Sequence, residues 1–466
     1  MEAFAAESAA TDHLAIAPTS RLRRAYEVDP ANSSRLRDSR SGHSIIVDRF
    51  VRDLFEAAGQ DATAGKIAAA NRAPDLAWAA LNVLVHAGVV EADPGPAGHE
   101  PPQLPEIEGD PPLVSLVLVN MNGEEDLPRL LDSIRRQTYP NLETVLVDNA
   151  SSDGSLALVR NRYEWVRVVA LEDNRGFAAG VNAGIAASTG RYVCALNTDL
   201  EFAGDAVAAW VARKQERPAA AAVASKMRLM SHPLFINSIG NSITPDSWGS
   251  DNYMGIADLG QFDGIEDVWS ACFGAVLLDR DAIELIGPLD PSYYLYYEDV
   301  DWCYRARLAG FAIVAAPRCV IWHKFGGSVS QRSQEFKMTW VVRNRMRYAL
   351  VNMGGGVLRR YLPSYLRLDA REVLRSAVRR DRSGFRTYAR GYWWLVREGR
   401  GLWRARRAKR RYNRLAGREE DYLALNVPAT ISAQEGREAK LTEEVTRQWY
   451  LQLFPLPAEI RPDPAS

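Results

Sequence analysis

The strongest constraint on this chain is a set of alternating periods between residues 113 and 199. LVSLVLVN, LETVLVDN, VRVVAL and RYVCALNTD are short, nearly continuous apolar stretches. Segments with helical spacing lie between them, at Leu127 to Gln137, Gly154 to Asn161 and Gly176 to Ala187. Apolar runs without strict alternation fit strands covered on both faces, the situation of a parallel sheet. Repeated strand, helix, strand order predicts an α/β fold with a mostly parallel sheet and helices on both faces, and such sheets bind ligands beyond the carboxyl ends of their strands. Polar residues should therefore gather where the strands stop. They do: Asn120 and Asn122, Asp148 and Asn149, and Asn197 and Asp199 each follow a run of Val, Leu or Ala.

A length of 466 residues fits about three domains. Residues 91 to 112 hold seven prolines and no periodicity, as expected of a stiff connection. The expected division is a disordered N-terminus over 1–25, a small helical module over 26–92, a Pro-rich linker over 93–112, the α/β domain over 113–355 and a basic helical C-terminal extension over 356–466. Within the module, DRFVRDLFEAA, TAGKIAAAN and PDLAWAALNVLVHAGVV read as three short helices. Their pattern resembles winged-helix domains, including the small peptide-binding kind attached to enzymes of peptide modification.

Composition excludes some classes of protein. With 47% hydrophobic and 25% charged residues the chain is not intrinsically disordered. Cys194, Cys272, Cys303 and Cys319 lack the spacing of a zinc site or disulfide framework, which fits a reducing cytosol. The first residues carry acids where a signal peptide needs a basic then an apolar stretch. The longest apolar stretch, Trp78 to Val90, is 13 residues, short of the roughly 20 that cross a bilayer. A cytoplasmic protein is expected. The net charge of −1 conceals 19 basic and 4 acidic residues between Val357 and Arg414, a local +15.

VSLVLVNMNG, QTYPNLETVLVDNASSDGS, NRGFAAGVNAGIAASTGRYVCALNTD, GAVLLDRDAIELIGPLD, YLYYEDVDWCYRARLAG and VIWHKFGGS together resemble the family 2 inverting glycosyltransferases, in particular the rhamnosyltransferase-like branch. The resemblance runs from about Leu113 to Met353 and implies a GT-A nucleotide-diphospho-sugar transferase fold. It implies that Asn120, Asn122, Asp148, Asn149, Asn174, Asn182 and Asn197 bind the nucleotide sugar. The family's D-x-D motif, which holds a divalent cation, reads Asn197-Thr198-Asp199 here, so one carboxylate is an amide. Asp199 and His323 are the implied ligands of Mg2+ or Mn2+, His323 being followed by the Gly326-Gly327 turn. Phosphates and water could complete such a site, since hard cations need few protein oxygens when a diphosphate supplies the rest.

YYEDVDWCYRARLAG puts three carboxylates at a helix start. Asp301 and Arg305 form an i,i+4 pair, and acids there also favour the helix macrodipole. Glu298 and Asp299 align with the family's acidic pair, which implies Asp299 as the catalytic base and Glu298 as its orienting or acceptor-contacting neighbour. Trp269, Cys272 and Gly274 are expected to floor the pocket where donor sugar and acceptor meet. With one base and no carboxylate nucleophile, a single in-line displacement inverts the anomeric centre.

The function implied is transfer of a sugar, rhamnose favoured, from a dTDP or UDP donor to a cell-surface polysaccharide or lipid-linked oligosaccharide. The alternatives are a peptide or natural-product acceptor held by residues 26–92, and a nucleotide-sugar-binding scaffold without turnover. In the basic segment, Tyr365, Tyr388, Tyr392, Trp393, Trp394 and Trp403 interleave with arginines. Tyr392, Val396 and Trp403 share one helical spacing and Leu395 with Leu402 another, a pattern suited to a helix in a membrane interface. A peripheral position on the inner face of the plasma membrane through residues 357–414 is expected, and no nucleic-acid partner, because no recognition motif accompanies the charge.

Overall fold

The computed structural model describes residues 14–41, 43–60, 62–96, 104, 107, 109–244, 247–324, 334–409 and 439–460. Strands β1 (Arg21–Arg24), β2 (Glu27–Asp29), β3 (Asn32–Arg37) and β4 (Ser44–Val47) precede α1 (Arg49–Ala58), α2 (Ala64–Ala69) and α3 (Pro74–His86). β5 (Val90–Asp93) then pairs antiparallel with β1. All three expected helices are present, but the module is α+β, not helical. Its strands went unread because they are short and largely exposed, with one inward residue in β1 and one in β3, so no alternation marks them. Nor is the whole of 1–25 disordered: Leu14, Ile16 and Leu22 are buried in the module's core.

The large sheet begins with β6 (Val114–Asn120), buried at every position, followed by α4 (Leu127–Arg135), β7 (Leu142–Asp148), α5 (Ser155–Arg162), β8 (Arg167–Ala170), α6 (Phe177–Ala187) and β9 (Tyr192–Leu196). These strands are parallel, in the order β8-β7-β6-β9. Alternate residues serve opposite cores: Val117, Val119, Val145 and Val147 pack on one face, and Leu116, Leu118 and Leu146 on the other. This half matches expectation. Beyond it come β10 (Leu200–Phe202), α7 (Ala206–Glu216), β11 (Ala220–Leu229), β12 (His232–Ile239), the hairpin β13 (Asn241–Ile243) and β14 (Gly249–Asp251), β15 (Ala275–Asp279), α8 (Arg280–Ile286), α9 (Glu298–Leu308) and β16 (Ala312–His323).

β15 inserts between β9 and β11 and runs antiparallel to both, β10 runs antiparallel to β16, and β12 to β11. Among the described residues the nine-stranded sheet is therefore mixed but mostly parallel: β11 is parallel to β16, and β6, β7, β8, β9, β11 and β16 run in one direction, with β10, β12 and β15 reversed. A fully buried run such as AVLLD announces a strand but not its direction.

The chain continues into α10 (Gln334–Asn352), α11 (Gly355–Val378), α12 (Arg382–Arg397) and α13 (Gly399–Lys409). The extension is helical to this point. Residues 439–460 then leave the helical unit: β17 (Ala439–Leu441) pairs parallel with β4, and α14 (Glu443–Trp449) follows. Asp48 serves both ends of the chain, since its Oδ1 accepts from Val51 N–H at the start of α1 and its Oδ2 from Glu443 N–H at 2.8 Å. On the other side, Tyr450 Oη accepts from Ala257 N–H at 2.8 Å and Trp449 meets Tyr253 edge-on at 5.5 Å between ring centres. Among the described residues no helix is long and apolar enough to cross a membrane.

Candidate active site

The carboxyl ends of β6 and β7 carry the first polar group. Asn120 Nδ2 donates to Asp148 Oδ1 at 2.8 Å and lies within 3.0 Å of the Ser151 and Ser155 hydroxyls. Asp148 Oδ2 accepts from Ser151 N–H, which closes an Asx-turn after β7. α5 starts from Gly154 without a side-chain cap, and the preceding Asp153 Oδ1 accepts from Ser155 N–H. Asn120 Oδ1 is buried and has no hydrogen-bond partner among the described residues. Asn122, exposed and at φ +55°, accepts from Ser152 N–H.

The remaining asparagines divide. Asn149 bridges to the start of α6, donating to Gly176 O and accepting from Arg175 N–H, and Asn174 accepts from Gly176 N–H. Asn182 is committed elsewhere: its amide donates to Leu289 O and accepts from Leu289 N–H. Both its polar ends bond Leu289, so it pins the segment before α9. Asn197 at the end of β9 donates its backbone N–H to Gly274 O, and the Asn197 amide, Gly274 and Cys272 adjoin one another.

Asp199 and His323 meet, as expected, although 124 positions apart in sequence, because β10 pairs with the end of β16. Asp199 Oδ1 is buried, 3.2 Å from His323 Nε2. Burial would push the Asp199 carboxyl up, but the imidazole and Lys324 hold it below the ordinary carboxylate range. The second ring nitrogen, Nδ1, lies 2.6 Å from Asn237 Oδ1, an acceptor that favours a proton on Nδ1 and leaves Nε2 turned to Asp199. One buried carboxylate oxygen facing one imidazole nitrogen is a donor set that a divalent cation fits. Among the described residues no group of three or more His, Cys, Asp or Glu is placed to hold a metal, so a cation here would draw its other ligands from phosphate and water. Gly326-Gly327 lie outside the described residues.

The third group is the turn before α9. Tyr294, Tyr296 and Tyr297 all have φ between +63° and +71°, an unfavourable region for bulky residues. The turn is over-determined: Asn344 of α10 aims its Nδ2 at the carbonyls of Tyr293, Leu295 and Tyr296 at 2.8 to 2.9 Å, and Phe177 N–H donates to Tyr294 O. Gly176 allows that approach, since a Cβ there would sit 2.4 Å from Tyr294 O. Glu298 and Asp299 follow immediately. Asp299 Oδ2 accepts from Asn241 Nδ2 at 2.7 Å and Oδ1 from Val300 N–H at 2.7 Å, while Glu298 Oε2 is buried without a partner. Burial pushes both carboxyls up, with the Asp251 charge adding to the rise at Asp299 and the Asp299 charge to that at Glu298.

Asp301 is structural, as its i,i+4 spacing suggests. Arg305 Nε donates to its Oδ2 at 3.0 Å, and Lys409, Tyr293 and Asn352 converge on its Oδ1. Burial would raise Asp301, but Lys409 and Arg305 hold it far below the usual range. Trp269, expected to floor the pocket, is 2% exposed and packed in a core with Tyr304. Cys272 does border the carboxylates, since burial and then the charges of Asp251, Asp299 and Glu298 hold its thiol protonated.

Asn241, Asn344, Asn237 and Asp251 were missed by the sequence reading. Asp251, directly opposite Asn241 in the β13–β14 register, is pushed up to about 6 by burial. The only local signal is that Asn237 and Asn241 interrupt FINSIGNSI at strand-like intervals.

Residues 115–286 match the sequence profile of glycosyl transferase family 2. Amylovoran biosynthesis glycosyltransferase AmsB of Erwinia amylovora is 26% identical over 243 residues, 49% of this chain and 76% of that protein. Poly-beta-1,6-N-acetyl-D-glucosamine synthase of Staphylococcus epidermidis is 25% identical over 237 residues, 49% of this chain and 53% of that protein. Among solved structures, mannosyltransferase PcManGT from Pyrobaculum calidifontis aligns with a TM-score of 0.41 at 17% identity, over 70% of this chain and 89% of that one. With the polar strand ends and this profile match, residues 115–286 form a glycosyl transferase family 2 domain.

Proposed function

We propose that this glycosyltransferase moves a sugar from a nucleotide-diphosphate donor to an acceptor hydroxyl in polysaccharide assembly, inverting the anomeric configuration. The observation that carries the reading is the Asp299 carboxylate, fixed by Asn241 and Val300 N–H beside the polar strand ends. A carboxyl raised toward neutrality and held in one orientation is suited to accept a proton at the pH where the enzyme works. In the step proposed, the acceptor O–H proton passes to Asp299 Oδ2 as the oxygen bonds to the anomeric carbon. The bond from that carbon to the diphosphate oxygen breaks, and its electron pair leaves with the nucleoside diphosphate. Glu298, whose own carboxyl is raised by burial and by the Asp299 charge, orients that base or contacts the acceptor. Asn120, Asp148 and Asn122 bind base and ribose, and Asn197 lies nearest the sugar. Asp199 and His323 would hold Mg2+ or Mn2+, which when bound neutralises the departing diphosphate.

The resemblance favours rhamnose, from a dTDP or UDP donor. For the acceptor, a cell-surface polysaccharide or lipid-linked oligosaccharide is the leading reading, and the names of the relatives support a polysaccharide. The second reading is a peptide or natural-product acceptor held by residues 26–92; residues 439–441 pair with β4, and β2 forms the other edge of that sheet. The test is Asp299→Asn, which keeps shape and hydrogen-bonding capacity. Turnover should fall about 10² to 10⁴-fold with donor binding retained. Near wild-type turnover would remove Asp299 from this role, and donor binding without turnover in the unaltered protein would favour the scaffold reading.

A further inference from the structure

The helices after the sheet carry two apolar faces on α12, and only one is covered. Inward, Tyr388 and Leu395 are buried, Trp394 lies against Arg343, and Tyr392 donates to Asp369 Oδ2 at 2.6 Å. This corrects the single stripe read from sequence, for Tyr392 belongs to the inner face and Val396 to the outer. Outward, Phe385, Trp393 and Val396 follow one another at intervals of eight and three residues, hence on one side of the helix, and are 51%, 70% and 75% exposed. On α13, Trp403 is 61% exposed while Leu402 faces inward. Leaving large aromatic and branched side chains in water is unfavourable by the area they expose, and a cluster of them marks a contact surface.

The charge around this face identifies the occupant. Between residues 355 and 409, fourteen arginines are exposed, against one exposed carboxylate, Asp381, which is used in capping α12. Arg382, Arg386, Arg390 and Arg397 lie along one flank of the outward stripe by helical spacing, Arg386 and Arg390 each also pairing with Glu335 of α10 at 2.8 Å, and Arg400, Arg404 and Arg407 lie near Trp403 on α13. The turn between α11 and α12 forms an open pocket lined by Arg380, Arg382, Arg386 and Phe385 together with Asp381, so three guanidinium groups outnumber one carboxylate beside an aromatic ring. A planar polyanionic surface with an apolar interior satisfies both features at once: arginines pair with phosphates at the level where tryptophan and phenylalanine enter the acyl boundary. A second copy of this chain would bring like charge against like charge.

We propose that the outer face of α12 and α13, centred on Phe385, Trp393, Val396 and Trp403, docks this protein on an anionic phospholipid bilayer. The docked helices are joined rigidly to the reaction centre. Lys409 at the end of α13 binds Asp301 in α9, and Asn344 of α10 holds the turn that precedes Glu298 and Asp299. Docking would therefore fix the orientation of the acceptor side with respect to the membrane. The proposal does not depend on which sugar is transferred, because membrane binding is measured without turnover.

The test is co-sedimentation of the full chain with vesicles of phosphatidylcholine alone and of phosphatidylcholine mixed with phosphatidylglycerol. Binding is expected to the mixed vesicles, with a blue shift of tryptophan emission, and to fall by roughly tenfold or more when salt shortens the Debye length. Trp393→Glu combined with Trp403→Glu should reduce binding by about the same factor without changing donor hydrolysis. Arg400→Gln, Arg404→Gln and Arg407→Gln together should weaken binding and its salt dependence but leave the fold, read by circular dichroism, intact. Equal binding to both vesicles, no binding to either, or unaltered binding by the tryptophan variant would overturn the proposal. So would a concentration-dependent dimer that the tryptophan variant dissociates, since a second copy would then cover the face.

Discussion

Asn241 donates its side-chain amide to Asp299 Oδ2 at 2.7 Å, joining a short hairpin to the first turn of a helix 58 residues later. This bond sets the direction of the carboxylate and, by favouring its charged form, opposes the rise that burial imposes. Asn241→Ala should lower kcat/KM roughly 10- to 100-fold, the value of one hydrogen bond to a charged group. Loss of the donor raises the Asp299 pKa further. The acidic limb of the pH–rate profile should move to higher pH by about one unit, whereas a purely structural role for Asn241 would scale the profile without shifting it.

Glu298 offers a stability test. Its folded pKa is raised by burial and by the neighbouring Asp299 charge. The protonated form is thus favoured by the fold: its contribution is fully present below the unfolded carboxyl pKa and is lost as pH rises through the folded one. Thermal unfolding of the wild type should show Tm declining from the ordinary carboxylate range upward. Glu298→Gln should flatten that slope and be the more stable protein at the alkaline end. Parallel slopes for the two proteins would contradict the assignment.

Asp301 should behave oppositely to its two neighbours. It is the anionic centre for buried Arg305 and for Lys409, and removing it leaves two cations without their counter-charge. Asp301→Ala should cost about 3 to 5 kcal/mol in denaturant unfolding. Because the Asp301 pKa is depressed in the folded protein, its stabilisation is present above the unfolded pKa and lost only as pH falls through the folded one.

Donor binding separates the remaining carboxylates. Calorimetry with UDP or dTDP, with and without Mn2+, should find Asp148→Ala weaker in both conditions, since Asp148 organises Asn120 and the Ser151 turn. Asp199→Ala should bind as the wild type does without metal and gain nothing from Mn2+. Identical behaviour of the two variants would merge the two roles. Asn182→Ala should leave affinity unchanged and lower Tm, because both of its polar ends serve Leu289.

The parallel half of the sheet was legible in the chain itself, because strands buried on both faces must be apolar throughout and must end in polar groups where the ligand crevice begins. The Asp301–Arg305 pair was legible for the same local reason: four residues on a helix bring side chains together whatever surrounds them. Tertiary structure decided everything whose partner lies far along the chain. Asn182 looked like a cleft residue until Leu289, 107 positions away, took up its amide. Asn241 and Asn344 carried no signal, because an asparagine's role depends on which carboxylate or carbonyl the fold delivers to it. The antiparallel insertion of β15 and the return of residues 439–441 to β4 were equally hidden, since a three- to five-residue strand declares neither direction nor neighbour. Only packing could say which of two apolar faces on α12 would be covered, because hydrophobic spacing records that a face exists and not what lies against it.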